Sequence, residues 1–200
     1  MVCWCSHRPA PFTALDLRAH VPPLAPRPSQ DLPRTFPEQP WVASTAGMAA
    51  LRRVLTAFSW HCELVGYCQS LNYVTALLLL VLPTEERAFW VLDTLLECML
   101  YRDMHTEDLL GCHVEMRVLS ALVDKKMPVL AAHLKAVDFE MSMVSTEWLL
   151  TVFVKSVPAE TAARILDCTL CEGSKVLHRV VLALFKVCAM HHVAPSFAQL

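Results

Sequence analysis

From about Ala46 onward, apolar side chains recur at three- and four-residue intervals, the period of helices that bury one face. Leu51, Val54, Leu55, Phe58 and Cys62 form one such stripe, with Ser44 or Thr45 placed to cap its start. Glu63-Leu64-Val65-Gly66 breaks the pattern. A second helix is expected from Tyr67 to Leu82, where Pro83 stops it. Thr84 followed by Glu85 and Glu86 is a good helix entry, with acids at the positive end of the dipole. That helix should carry Phe89, Leu92, Leu96 and Met99 inward.

Thr106-Glu107-Asp108 is expected to open a further helix toward Lys126, and Pro128 a short one to Ala136. Trp148, Leu149, Thr151, Val152 and Phe153 read as a helix buried on most sides. Pro158 opens the next, to Leu170, with Gly173 as its C-cap. Val176, Leu177, Val180, Val181, Leu184 and Cys188 share one face of the last. No strand-like alternation exceeds four residues and no repeat is present. The reading is all-α, with eight or so helices.

Nine of the thirteen prolines lie between Pro9 and Pro40, so Met1 to Pro40 is expected to be extended or irregular. The last ten residues lack periodicity. The expected division is an irregular leader over 1–28, a helical domain over 29–190 and an irregular tail over 191–200. The domain is expected to be incomplete at both ends.

Composition narrows the classes of function. With 55% apolar and 18% charged residues, the chain has the material for a buried core rather than for disorder. A net charge of −2 without a basic cluster gives no electrostatic basis for binding nucleic acid. Mean hydropathy is +0.41, yet the longest uncharged aliphatic run, Val74 to Leu82, is about half of what a bilayer span requires. No apolar stretch follows a basic start as in a signal peptide. Nine cysteines, mostly in helical stretches (Cys62, Cys98, Cys168, Cys188), read as buried thiols of a reducing cytosol.

Candidate chemistry is sparse. Cys168-Thr-Leu-Cys171 has metal spacing, and Cys3, Cys5, His191 and His192 are conceivable further ligands. The same spacing is produced by packing within a helix, and the thiol reading is preferred. There is no glycine-rich phosphate loop, and four glycines in all leave little to cradle a nucleotide. Two short polar elements remain: Asp31-Leu-Pro-Arg34-Thr35-Phe36-Pro37, and Gly66-Tyr67-Cys68-Gln69-Ser70-Leu71-Asn72-Tyr73. Each alone reads as an ordinary loop charge or helix-start residue.

In this order, however, the pair resembles the TBC-domain family of Rab GTPase-activating proteins, with its D-x-x-R-T and G-Y-x-Q elements. The resemblance continues through Leu51-Arg-Arg-Val-Leu-Thr-Ala-Phe58, Glu86-Arg-Ala-Phe-Trp90, Trp148 to Phe153, Arg164-Ile-Leu-Asp167 and Glu172-Gly-Ser-Lys-Val176. It covers about Asp31 to Lys186. It departs from the family pattern at Pro28, where an aliphatic residue is usual, and at Ser70, where glycine follows the glutamine. It departs again at Leu166, in place of an aromatic, and at both ends. Ser70 is expected to restrict close approach of a partner, and Leu166 to pack more lightly.

The resemblance implies an activator that supplies groups in trans to a Rab-family small GTPase in its GTP-bound form, rather than a self-standing hydrolase. Arg34 would be the arginine finger and Gln69 the glutamine finger, with Asp31, Thr35, Tyr67 and Asn72 in support. An arginine supplied in trans stabilises the phosphate charge that builds during hydrolysis and is worth about 10³–10⁵ in rate. No cofactor of the chain's own is implied; GTP and Mg²⁺ belong to the partner. A cytoplasmic protein in vesicle trafficking, held at endomembranes through that partner without inserting, is the implied setting. A non-catalytic scaffold that binds a small GTPase, and a truncated inactive isoform, stay open beside it.

Overall fold

A computed structural model describes residues 30–101 and 103–192. Among them lie nine α-helices and no strand. They are α1 (Pro40–Ala43), α2 (Thr45–His61), α3 (Leu71–Val81), α4 (Glu85–Thr94), α5 (Leu110–Lys126), α6 (Pro128–Ala136), α7 (Ser142–Leu150), α8 (Ala159–Glu172) and α9 (Lys175–His192). A 3₁₀ turn at Leu32–Arg34 precedes them, and a π turn at Leu95–Met99 extends α4. The expected leader over 1–28 lies outside the described residues. The final helix continues through His192, past the expected start of an irregular tail at 191.

The core is organised around α3. Leu71, Asn72 and every residue from Val74 to Leu79 are buried, as an almost wholly apolar helix requires. α2 and α4 pack against it and against each other, with Phe58 and Phe89 meeting edge to face at 6.4 Å between ring centres. α1 enters α2 through a sharp corner. Ser44 Oγ accepts from the Gly47 amide at 3.1 Å, and a Cβ built on Gly47 would lie 2.1 Å from the Trp41 carbonyl oxygen. Only glycine allows that approach. On the far side α5 packs with α6 and α7, and α8 with α9.

Several expected boundaries move, each for a local reason. The second helix starts at Leu71 rather than Tyr67. Gly66 adopts φ +56° with its amide on the Cys62 carbonyl at 2.7 Å, so the chain doubles back before helix can resume. Thr106 does not open α5. Its hydroxyl lies 2.7 Å from Asp108 Oδ1 and 2.9 Å from the Asp103 carbonyl, closing a turn, and Leu109 turns left-handed before α5 starts at Leu110.

The apolar segment near Trp148 is helical only to Leu150. Val152 and Phe153 then take left-handed conformations (φ +50° and +64°) while wholly buried, with the Phe153 ring stacked on Trp148 at 5.8 Å. Packing of those two side chains overrides the conformational cost to a branched and an aromatic residue. The thiols are less buried than expected. Cys98, Cys171 and Cys188 are exposed, Cys62 and Cys168 half-buried, and only Cys112 is buried among the described ones, because most lie on outward helix faces. Cys3 and Cys5 lie outside the described residues. Leu166 sits in the core, buried beside Ile165.

Candidate functional site

Arg34 ends the 3₁₀ turn, which Pro33 enters at its first positions and Leu32 anchors with a buried side chain. Asp31 immediately precedes that turn and is itself buried. Its carboxylate takes two donors at once: the Arg34 guanidinium on Oδ1 and, from the other side, the Tyr67 hydroxyl on Oδ2 at 2.5 Å. Burial, and then the neighbouring Asp31 carboxylate, hold the Tyr67 phenol above its ordinary range, so it remains a donor. Arg34 keeps half of its side chain in solvent while its partner does not, which leaves a tethered guanidinium facing outward.

One residue further on, Thr35 is buried and relays a second set of bonds. Its hydroxyl donates to the Asp31 carbonyl at 2.8 Å and accepts from Asn72 Nδ2 at 2.7 Å. Asn72 is wholly buried in the first turn of α3. The loop that carries Arg34 is therefore fastened to α3 by Asn72, and to the segment before α3 by Tyr67.

That same segment carries Gln69. Gln69 is exposed and lies in a turn just before α3, not on the helix itself. Gln69 and Arg34 line one groove of about 680 Å³, with Tyr67 and Asp31 also in its wall. The rest of the lining comes from Glu63, Leu64 and Val65 in the break after α2, from His105, Thr106 and Glu107 in the loop before α5, and from Leu150. His105 ties two of these parts together: its Nε2 lies 2.9 Å from the Leu150 carbonyl, and complete burial lowers its pKa to about 4, so the ring is neutral.

Among the described lining residues Arg34 is the cation, set against Asp31, Glu63 and Glu107. Burial pushes the thiol of Cys68 up, so it is not a poised nucleophile. No three metal-ligating side chains cluster among the described residues. Chemically, the groove offers a guanidinium and a carboxamide to a ligand presented from outside.

Ser70 does not narrow this groove. Its side chain is buried and absent from the lining, and the position caps α3 with φ +155°, ψ −34°, a conformation suited to glycine. The departure at Ser70 is thus a matter of backbone strain, not of access. The lining from the loop before α5, His105 above all, has no signal in the sequence: a lone histidine in a polar loop carries none. Exposed Leu64, an apolar residue inside a helix break, was the one local hint.

A family model described as the Rab-GTPase-TBC domain matches residues 25–191. The chain belongs to that family. Among its relatives, TBC1 domain family member 2B of Xenopus tropicalis is 42% identical over 158 residues, which is 78% of this chain and 17% of that protein. Human TBC1 domain family member 2A is 40% identical over 184 residues, 90% of this chain and 20% of that one. The chain thus spans about a fifth of the length of these curated relatives. The crystal structure of the Chlamydomonas flagellar RabGAP TBC domain superposes with a TM-score of 0.73 at 42% identity, covering 80% of this chain and 53% of that one. The Ypt/Rab-GAP domain of Gyp1p matches in fold, with a TM-score of 0.68 at 22% identity, over 81% and 59%. No helix among the described residues is long and apolar enough to cross a membrane.

Proposed function

We propose that this TBC domain accelerates GTP hydrolysis by a Rab-family GTPase in its GTP-bound state, with Arg34 as arginine finger and Gln69 as glutamine finger. The observation that carries the reading is the shared groove: a half-exposed guanidinium and an exposed carboxamide open onto one cleft. A guanidinium is permanently charged and presents donors in a planar fork, as the developing charge on phosphate oxygens requires. A carboxamide both donates and accepts, so it suits a water that must be oriented for attack.

In this mechanism the support is built in advance. Asp31 and Tyr67 limit the conformations of Arg34, and the Asn72–Thr35 bond fixes the loop behind it, so less ordering is left for the encounter. Because Arg34 is paired in the free chain, docking must exchange Asp31 for phosphate oxygens, or share the guanidinium's five donors between them. GTP and Mg²⁺ come with the partner, and the domain acts in trans on a protein in the cytoplasm or at endomembranes, in vesicle traffic. Ser70, one of the two grounds for the scaffold alternative, is buried and does not line the groove, which favours the catalytic reading.

The test is single-turnover GTP hydrolysis across a panel of purified Rab GTPases. Wild type should accelerate at least one, and Arg34→Ala or Gln69→Ala should each reduce that stimulation by about a hundredfold or more. Stimulation that survives unchanged in both variants refutes the mechanism. Binding with no stimulation by wild type supports the scaffold.

A further inference from the structure

The residue after Thr35 is held in an unusual way. Phe36 adopts a left-handed conformation, φ +46°, without being glycine. Its ring meets Tyr73 edge to face, with centroids 5.3 Å apart and planes at 77°. Tyr73 follows Asn72 in the first turn of α3. Its ring in turn lies 5.7 Å from Lys155 Nζ, and Lys155 is ion-paired with Glu147 of α7. Lys155 reaches this place because the chain reverses through the left-handed Val152 and Phe153. None of Phe36, Tyr73 and Lys155 lines the groove.

A left-handed phenylalanine persists only where its surroundings over-determine it. Here the Gln39 N–H on the Phe36 carbonyl and the aromatic contact hold it, and the latter lies one residue beyond the Thr35–Asn72 bond and is borne on the same helical turn. Hydrogen bond and ring contact grip successive residues of the loop, and two grips fix a direction where one fixes only a point. We propose that Tyr73, seated against Lys155, is a positioning residue that sets through Phe36 the direction in which Arg34 leaves its loop. The inference rests on the reading of Arg34 as the finger.

Two measurements test it. The first is amide hydrogen exchange at Thr35 and Gln39, whose N–H groups close the loop on the Leu32 and Phe36 carbonyls at 3.1 and 2.9 Å. Tyr73→Leu and Phe36→Leu should each speed that exchange about two- to tenfold, the weight of one aromatic pair, and Tyr73→Phe should restore it. The second is stimulated hydrolysis. Tyr73→Leu should lower kcat by a similar factor with KM for the GTPase within about twofold, and should cause no further loss in an Arg34→Ala background. Wild-type exchange in both leucine variants overturns the proposal, as does an equal loss of kcat with and without Arg34. If Arg34→Ala alone leaves the rate unchanged, the finger reading fails while exchange still decides whether the ring contact holds the loop.

Discussion

Ser70 allows the physical account of the site to be tested through stability alone. Its backbone, at φ +155° and ψ −34°, lies where a side chain is crowded and glycine is not. Holding a non-glycine residue there costs about 1–3 kcal/mol. Against that, Ser70→Gly enlarges the entropy of the unfolded chain by about 0.5–1 kcal/mol. It also removes a hydroxyl whose one described contact is the Cys68 sulfur at 3.8 Å, too weak to matter much. The balance favours glycine by about 1 kcal/mol, which in a chain of this length raises Tm by about 2–4 °C. Ser70→Ala keeps the Cβ and the strain, so it should melt within a degree or two of wild type or below it. Calorimetry, with a denaturant midpoint at unchanged m, measures both. A Ser70→Gly protein that melts at or below wild type contradicts the strain argument, and with it the assignment of Ser70 as a displaced glycine position.

Other consequences concern packing and pH. Gly47→Ala places a Cβ 2.1 Å from a backbone carbonyl that cannot swing away, so it should destabilise by about 2 kcal/mol or more, read as a lowered denaturant midpoint. His105 is held below its ordinary pKa, to about 4, so the unfolded chain binds the proton more readily. Stability should therefore fall as pH drops from about 6.5 toward 4, by up to about 3 kcal/mol, and His105→Gln should flatten that slope. His178 works in the opposite sense. Its Nε2 lies 2.8 Å from Glu115 Oε2 between α9 and α5, and that contact raises its pKa. Its contribution is full below about 6.5 and is lost as pH rises through the raised value, and His178→Gln should remove that loss from urea titrations at pH 6 and 8.

Much of the fold is legible in local chemistry. Pro128 opens α6 and Pro158 immediately precedes α8, Thr84 caps α4 by accepting from the Arg87 amide, and Gly173 ends α8 at φ +84°. These signals act over three or four residues and need no knowledge of the rest of the chain. The misjudged stretches are those decided by contacts from afar. Val152 and Phe153 look helical by the apolar run they continue and turn left-handed because Trp148 and the core receive them. Tyr67 to Ser70 looks like a first helical turn, but Tyr67 is drawn to Asp31, thirty-six positions earlier, and helix begins only at Leu71. The site divides in the same way. Arg34, Gln69 and their supports stand in recognisable motifs, whereas the wall of Leu64, His105 and Glu107 exists only once α2, α5 and α7 are assembled.

The central claim is that Arg34 and Gln69 act together on a phosphate-like charge presented by a partner. Its most direct measurement is formation of a complex with a Rab GTPase carrying GDP and aluminium fluoride, which mimics the transferring phosphoryl group, followed by titration calorimetry. Wild type should bind this form at least about tenfold more tightly than the GDP form, and Arg34→Ala and Gln69→Ala should each abolish the difference while both stay folded. Gln69→Ala should melt at the wild-type Tm and Arg34→Ala below it, because buried Asp31 loses its cation. A fluoride-dependent gain in affinity that persists undiminished in both variants contradicts the account.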